Sequence, residues 1–249
     1  MLTKGRASTI KQLHDKKYRQ KTGLFLVEGE KSVVELINSD YQVSEVLATK
    51  DFLSKYRQVL NTKQIRTEAV EQGELEKVSS MESNSATIAI AKQKPVSIPT
   101  IDKNEITIAL DEIRDPGNLG TIIRIADWYG IKKIIAAIGT VDLYNPKVIS
   151  ATKGSFTRVE LSYVDLKTFL PTTKVPILGT FLDGEDVHTL AFPANGILLM
   201  GNESNGINRE IEKIVTKKIT IPAYGRTESL NVAIATAICL DNWKRNLSK

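Results

Sequence analysis

Cysteine, histidine and tryptophan are nearly absent from this 249-residue chain, which has one Cys, two His and two Trp. A single cysteine excludes a disulfide framework and any cysteine-rich zinc site, and it favours a reducing compartment. His14 and His188 lie far apart and fit no metal-ligand spacing, so both read as surface or structural residues and no metal is expected. No apolar run is long enough to cross a bilayer, and no apolar signal-peptide core follows Met1. No membrane partner is expected, and a soluble cytoplasmic protein is the default. The P-loop pattern, GxxxxGK followed by Ser or Thr, does not occur, and GNLG at 117–120 is not the GxGxxG dinucleotide fingerprint. The composition, 41 % hydrophobic and 25 % charged, excludes disordered and fibrous classes.

The net charge of +5 is small, but its placement is uneven. Residues 1–22 hold seven Lys and Arg against Asp15 alone, +6, and the remaining 227 residues hold 27 against 28, −1. Ile10 and Leu13 at helical spacing place part of this basic segment on a helix. It is either a solvated terminal helix or a footprint for phosphates, since clustered Lys and Arg release counterions from a polyanion.

From residue 24 onward short apolar runs alternate with longer mixed ones, which predicts strands alternating with helices. Strands are expected at 24–27, 43–49 and 87–91, with helices at 30–38 and 51–60. A polar stretch broken by Pro95 and Pro99, residues 93–105, reads as a linker. The expected division is 1–92, linker 93–105, and 106–249. In the last part, strands are expected at 106–110, 133–138, 159–162, 176–181, 196–200 and 218–221, and KIIAAI (133–138) and ILLM (197–200) lack the alternation of a half-exposed sheet. They fit a parallel sheet covered on both faces. A final helix at 229–246 carries VAIATAICL, predicted buried between layers, with Lys244, Arg245 and Lys249 at its exposed end. Trp128, Trp243 and Cys239 read as packing residues.

Three polar, glycine-bearing segments each follow a predicted strand, where open α/β sheets bind ligands. In DEIRDPGNLGTIIRIADWYG (111–130), Asn118 can cap the following helix, and Gly120 lies one turn before Arg124. Glycine there would let another backbone or a substrate approach Arg124; alternatively Arg124 pairs with Asp127 in an ordinary helix. In LLMGNESNGIN (198–208), Glu203 is either a site carboxylate or the cap of a helix from Ile207. In ITIPAYGRTESLNVAIATAI (219–238), Ser229 and Asn231 sit at a helix N-terminus, and capping accounts for only one of them.

Together these segments resemble the SpoU/TrmH family of RNA ribose methyltransferases in the SPOUT superfamily. The matching residues are Asn118, Gly120 and Arg124, then Gly201, Asn202, Glu203 and Gly206, then Ile221, Pro222, Ser229, Leu230 and Asn231. KKYRQKTGLFLVEGEKSVVEL (16–36) resembles the small α/β, ribosomal-protein-like RNA-binding domain that precedes the catalytic domain in many members. The resemblance implies a C-terminal α/β knot, a parallel sheet with a trefoil-knotted end, and S-adenosylmethionine as methyl donor. It implies cofactor contacts from Thr180, Gly201, Ile221 and Leu230. It implies methylation of a ribose 2′-hydroxyl, in ribosomal RNA first and transfer RNA as the alternative; a non-catalytic RNA-binding assembly factor is the reading from another class.

Arg124 is then the residue that activates the hydroxyl. A guanidinium is normally protonated and only donates, so it would organise the hydroxyl and a nearby phosphate. Asn118 would position Arg124 or the ribose, Glu203 would brace the site, and Ser229 with Asn231 would orient substrate and cofactor. Lys16, Lys17, Arg19 and Lys21, together with Arg124, are the expected RNA contacts. A homodimer is implied, with the last helix near the interface; packing within the domain is the other account of that helix.

Overall fold

Side-chain caps set the first helix starts. A computed structural model, which describes residues 2–80, 86–96 and 99–247, begins with α1 (Lys4–Gln12) capped by Thr3 and α2 (Lys16–Thr22) capped by Asp15. Gly23, at φ +66°, ends α2 in the left-handed region and turns the chain into β1 (Leu24–Glu28). There follow α3 (Glu30–Asn38), β2 (Val43–Ala48), α4 (Lys50–Lys55), α5 (Arg57–Thr62), β3 (Arg66–Ala69), α6 (Gln72–Glu76) and β4 (Thr87–Lys92). Their sheet runs β1-β4-β2-β3, with β4 antiparallel to both neighbours and β2 parallel to β3. The single helix expected at 51–60 is two, broken where Tyr56 leaves helical geometry at φ −107°, ψ 15°. β3 escaped the sequence reading because an edge strand with mostly exposed side chains, Arg-Thr-Glu-Ala, carries no apolar pattern.

The chain continues with β5 (Ile106–Leu110), α7 (Pro116–Trp128), β6 (Lys133–Ala137), α8 (Pro146–Thr152), β7 (Glu160–Val164), α9 (Leu166–Phe169) and β8 (Ile177–Asp186). It ends with β9 (Gly196–Met200), α10 (Arg209–Glu212), β10 (Lys217–Thr220) and α11 (Val232–Leu247). Six strands form one sheet ordered β10-β8-β9-β5-β6-β7, with every pairing parallel. All residues of β5 and β9 are buried, as runs of Ile, Leu and Ala without alternation require. On one face Ala109, Ile135, Ile177, Ile197 and Leu199 pack with Leu166, Ile207 and Ile211.

Contacts divide the chain into Met1–Pro95 with Asp142–Thr157, and Val96–Val141 with Arg158–Lys249. The division by sequence, 1–92 and 106–249, thus leaves out that Asp142–Thr157 packs within the first unit. The reason lies in the two faces of β1. Leu26 joins Ile10, Leu13, Leu47 and Ile88 on one face. Phe25 meets Tyr144 at 4.5 Å and Phe156 at 6.1 Å between ring centroids, and Tyr41 meets Phe156 at 5.6 Å. The 142–157 segment therefore supplies apolar cover that residues 1–95 lack.

The same segment corrects one expected RNA contact. Arg19 is 1 % exposed. Its guanidinium donates to the carbonyls of Leu13 (3.1 Å) and His14 (2.8 Å) at the end of α1, and to Asp142 Oδ2 (2.7 Å). It satisfies orphan helix carbonyls and a carboxylate, and does not face solvent. Lys16, Lys17 and Lys21 are exposed, as an electrostatic footprint needs. Lys249 and residues 97–98 of the expected linker lie outside the described residues.

Candidate active site

In an all-parallel sheet the carboxyl ends of the strands share one edge, so the loops after β5, β9 and β10 emerge together. The first loop runs from Asp111 to α7. Asp115, not Asn118, caps α7: its Oδ1 accepts the Asn118 N–H at 2.8 Å, and Pro116 takes the first helical position. An Asp before a Pro at a helix start is the signal that points to it. The Asn118 side chain is thereby left for other work. Its Nδ2 donates to Glu203 Oε1 (3.0 Å) and its Oδ1 accepts from Asn231 Nδ2 (2.8 Å). One amide links all three loops.

The loop after β9 is held by Asn202. Its backbone exchanges hydrogen bonds with Gly206 (3.0 Å each way), and its Oδ1 accepts from Ser204 N and Asn205 N (2.9 and 3.1 Å). Its Nδ2 donates to the carbonyl of Glu112 (2.7 Å), a residue held at φ +55°. A Cβ on Gly201 would stand 2.5 Å from Gly206 C and 2.6 Å from Ile207 N, so this loop closes only around glycine. Asp111 Oδ2 accepts the Asn208 N–H at 2.7 Å. Burial pushes the Asp111 carboxyl above its ordinary value, and the Asn208 hydrogen bond opposes that. Asn208 caps α10, so Glu203 has no capping role. Asn202 and Asp111 shape the site through backbone contacts between loops, which spacing along the chain does not reveal.

The third loop leads to α11. Asn231 Oδ1 accepts from Ala233 N (2.9 Å) and Ile234 N (3.3 Å), so Asn231 is the cap and the helix begins at Val232 rather than Ser229. Ser229 and Leu230 are exposed, and Ser229 has no described partner. Residues 221–230 make no backbone hydrogen bond among the described residues. Their free N–H and C=O groups, the Gly201 turn and Thr180, whose hydroxyl donates to the Leu199 carbonyl at 3.3 Å, offer the polar backbone that a nucleoside cofactor needs.

Arg124 is exposed on α7, and no described residue pairs with it. Asp127 is taken by Arg158 (2.8 Å), so the ordinary Arg124–Asp127 pair does not form. Gly120 is buried while Arg124, one turn later, is exposed. Trp243 is buried and donates to the Pro193 carbonyl at 2.8 Å, whereas Trp128 is 84 % exposed, against the packing expected of it. Burial pushes the Cys239 thiol up to about 12, which makes it an inert apolar group. Nor is α11 buried all round, since Ile234 is 52 % exposed. Among the described residues no helix is long and apolar enough to cross a membrane, and no group of three His, Cys, Asp or Glu is placed to hold a metal.

Comparison with known proteins reaches the same three loops. The SpoU rRNA methylase family model matches residues 105–241, and the MRM3-like substrate binding domain model matches residues 6–89. The 23S rRNA (guanosine(2553)-2′-O)-methyltransferase RlmP of Bacillus subtilis is 31 % identical over 92 % of this chain and 91 % of its own length. The crystal structure of the S-adenosylmethionine-bound rRNA methyltransferase from Sinorhizobium meliloti superposes with a TM-score of 0.89 at 29 % identity, covering 99 % of this chain and 97 % of that one. A TrmH-family protein of Porphyromonas gingivalis gives 0.88 at 31 % identity, covering 98 % and 99 %. With more than half of the chain matched, the protein belongs to the SpoU rRNA methylase family.

Proposed function

We propose that the protein is an S-adenosylmethionine-dependent methyltransferase acting on a ribose 2′-hydroxyl of ribosomal RNA. The observation that carries this is the Glu203–Asn118–Asn231 hydrogen-bond chain, which ties together the three motif segments of the family. When bound, the cofactor supplies an electrophilic sulfonium methyl. Gly201, Ile221, Leu230 and Thr180 would hold it, largely through backbone, which suits a loop that only glycine closes.

A ribose hydroxyl is a poor nucleophile at neutral pH. Its oxygen must lie in line with the methyl carbon, and the charge that develops as its proton leaves must be stabilised. Arg124, a cation with five donors and no partner among the described residues, holds that oxygen and the neighbouring phosphate. Asn118 fixes the loop geometry, clamped by Glu203 on one side and Asn231 on the other. Ser229, exposed and unbonded, is free to meet the substrate.

Homodimerisation is part of this reading. Trp128 on α7 and Ile234 on α11 are exposed apolar side chains on two helices that pack together. A second copy would remove them from water. Sedimentation of Trp128→Arg as a monomer where the parent sediments as a dimer supports this; a fully active monomeric parent overturns it. Ribosomal RNA is preferred because RlmP, which matches nearly end to end, carries that substrate in its name.

Mapping of 2′-O-methyl marks in total RNA with and without the protein tests the function. One ribosomal ribose mark is expected to disappear. An unchanged ribosomal map, with no transfer of labelled methyl to ribosomal RNA in vitro, overturns it.

A further inference from the structure

The chain has seven tyrosines. Six are engaged. Tyr41 and Tyr144 lie against Phe25, and Tyr56 donates to Glu30 (2.7 Å) beside Phe52. Tyr129 donates to Asp241 (3.4 Å), Tyr163 to the Val141 carbonyl (2.7 Å), and Tyr18 packs on the α1 core. Tyr224 is 93 % exposed and has neither a ring nor a hydroxyl partner among the described residues.

Its setting is specific. Tyr224 lies in the loop from the carboxyl end of β10 to Asn231, the loop tied to Asn118. Thr220 anchors one end of that loop, its hydroxyl donating to the Leu182 carbonyl (3.2 Å), and Asn231 anchors the other. Two residues beyond Tyr224, past Gly225 with open space around it, stands Arg226, exposed and with no described ion pair. An amphipathic ring and a cation, both free, on a loop at the reaction edge match a nucleotide: a flat base and its phosphate.

On the reading given under Proposed function, we infer that Tyr224 is a substrate-binding residue that stacks on an unpaired base of the substrate strand, with Arg226 holding the adjoining phosphate. Recognition of single-stranded RNA rests on such stacking, because a splayed base exposes a π-face that an aromatic ring covers. Arg226 adds a salt-dependent contact that carries no sequence information. Tyr224 thus holds an unpaired nucleotide of the substrate strand at this edge of the sheet without taking part in the transfer.

The test compares Tyr224→Ala, Tyr224→Phe, Tyr224→Trp and Arg226→Gln in the full chain. The probe is a fluorescein-labelled single-stranded RNA of mixed sequence, read by anisotropy over a salt series. Tyr224→Ala is expected to weaken RNA binding roughly tenfold with an unchanged salt slope, and Phe and Trp to restore it. Arg226→Gln lowers the slope by about one unit. RNA binding of Tyr224→Ala equal to the parent overturns the inference, as does a shift of that variant alone from dimer to monomer, which would make Tyr224 a subunit contact. Methyl transfer is scored separately. A parent protein that transfers no methyl but binds RNA through Tyr224 refutes the enzymatic reading and leaves the stacking role standing.

Discussion

The two units hold their charge differently. Met1–Pro95 with Asp142–Thr157 has 18 Lys and Arg against 13 Asp and Glu, the whole +5 of the chain, whereas the other unit has 16 against 16. The first also buries the side chains of Arg19, Glu28 and Glu45, and its sheet is mixed. The second buries a six-stranded parallel sheet of Ile, Leu and Ala, with Asp111 at its edge, and leaves Arg124, Ser229 and Arg226 exposed. Gathering a polyanion needs many weak, screened contacts, while aligning one hydroxyl needs a few fixed donors. The division of charge follows that division of work.

The comparison breaks first at the site. Arg124→Ala should lower methyl transfer by about 10²-fold or more with cofactor affinity unchanged; a turnover near the parent value would remove Arg124 from the chemistry. Gly201→Ala should then abolish cofactor binding by calorimetry, because its Cβ meets backbone atoms of Gly206 and Ile207 that cannot withdraw. In the basic unit, Asp142→Ala leaves the Arg19 guanidinium buried without its carboxylate. Denaturant unfolding should register about 3 kcal/mol lost, the lower end of the range for such pairs, since Arg19 keeps two carbonyl acceptors.

Smaller effects separate the units further. Replacing Lys16, Lys17 and Lys21 by Gln should weaken RNA binding and reduce its log–log salt slope by about two, leaving cofactor affinity intact. An unchanged slope would return α1 and α2 to a solvated surface role. The smallest effect is a pH dependence. Burial lowers the His14 pKa below 6.5, and Arg19 and Lys11 lower it further, against Glu28, which raises it. The unfolded chain therefore takes up this proton first, and stability present above 6.5 is lost as pH falls through that value. The melting temperature should drop on acidification from about pH 7.5 to about pH 5.5, and His14→Gln should flatten the drop.

Legibility in the sequence followed the physics of each element. The fully buried strands β5 and β9 were read to the residue because continuous apolar runs bounded by polar turns have one interpretation. The exposed edge strand β3 was invisible for the opposite reason. Asn118, Glu203 and Asn231 stood out by position after strands, and Asp115 before Pro116 carries a cap signal, yet nothing in spacing shows that the freed Asn118 amide bonds the other two. Arg19 was misread because charge along a helix says nothing about which side is covered. Asp142, which covers it, lies 123 residues away.

Composition, apolar periodicity and three loop motifs determined by themselves the alternating α/β class, the parallel sheet and the family resemblance, because each depends on local spacing. Only the tertiary structure decided that Asp142–Thr157 completes the core of the basic unit, that Trp128 faces solvent, and that one asparagine joins three loops. Those facts depend on which distant residues share a face or a hydrogen bond, and no periodicity along the chain encodes that.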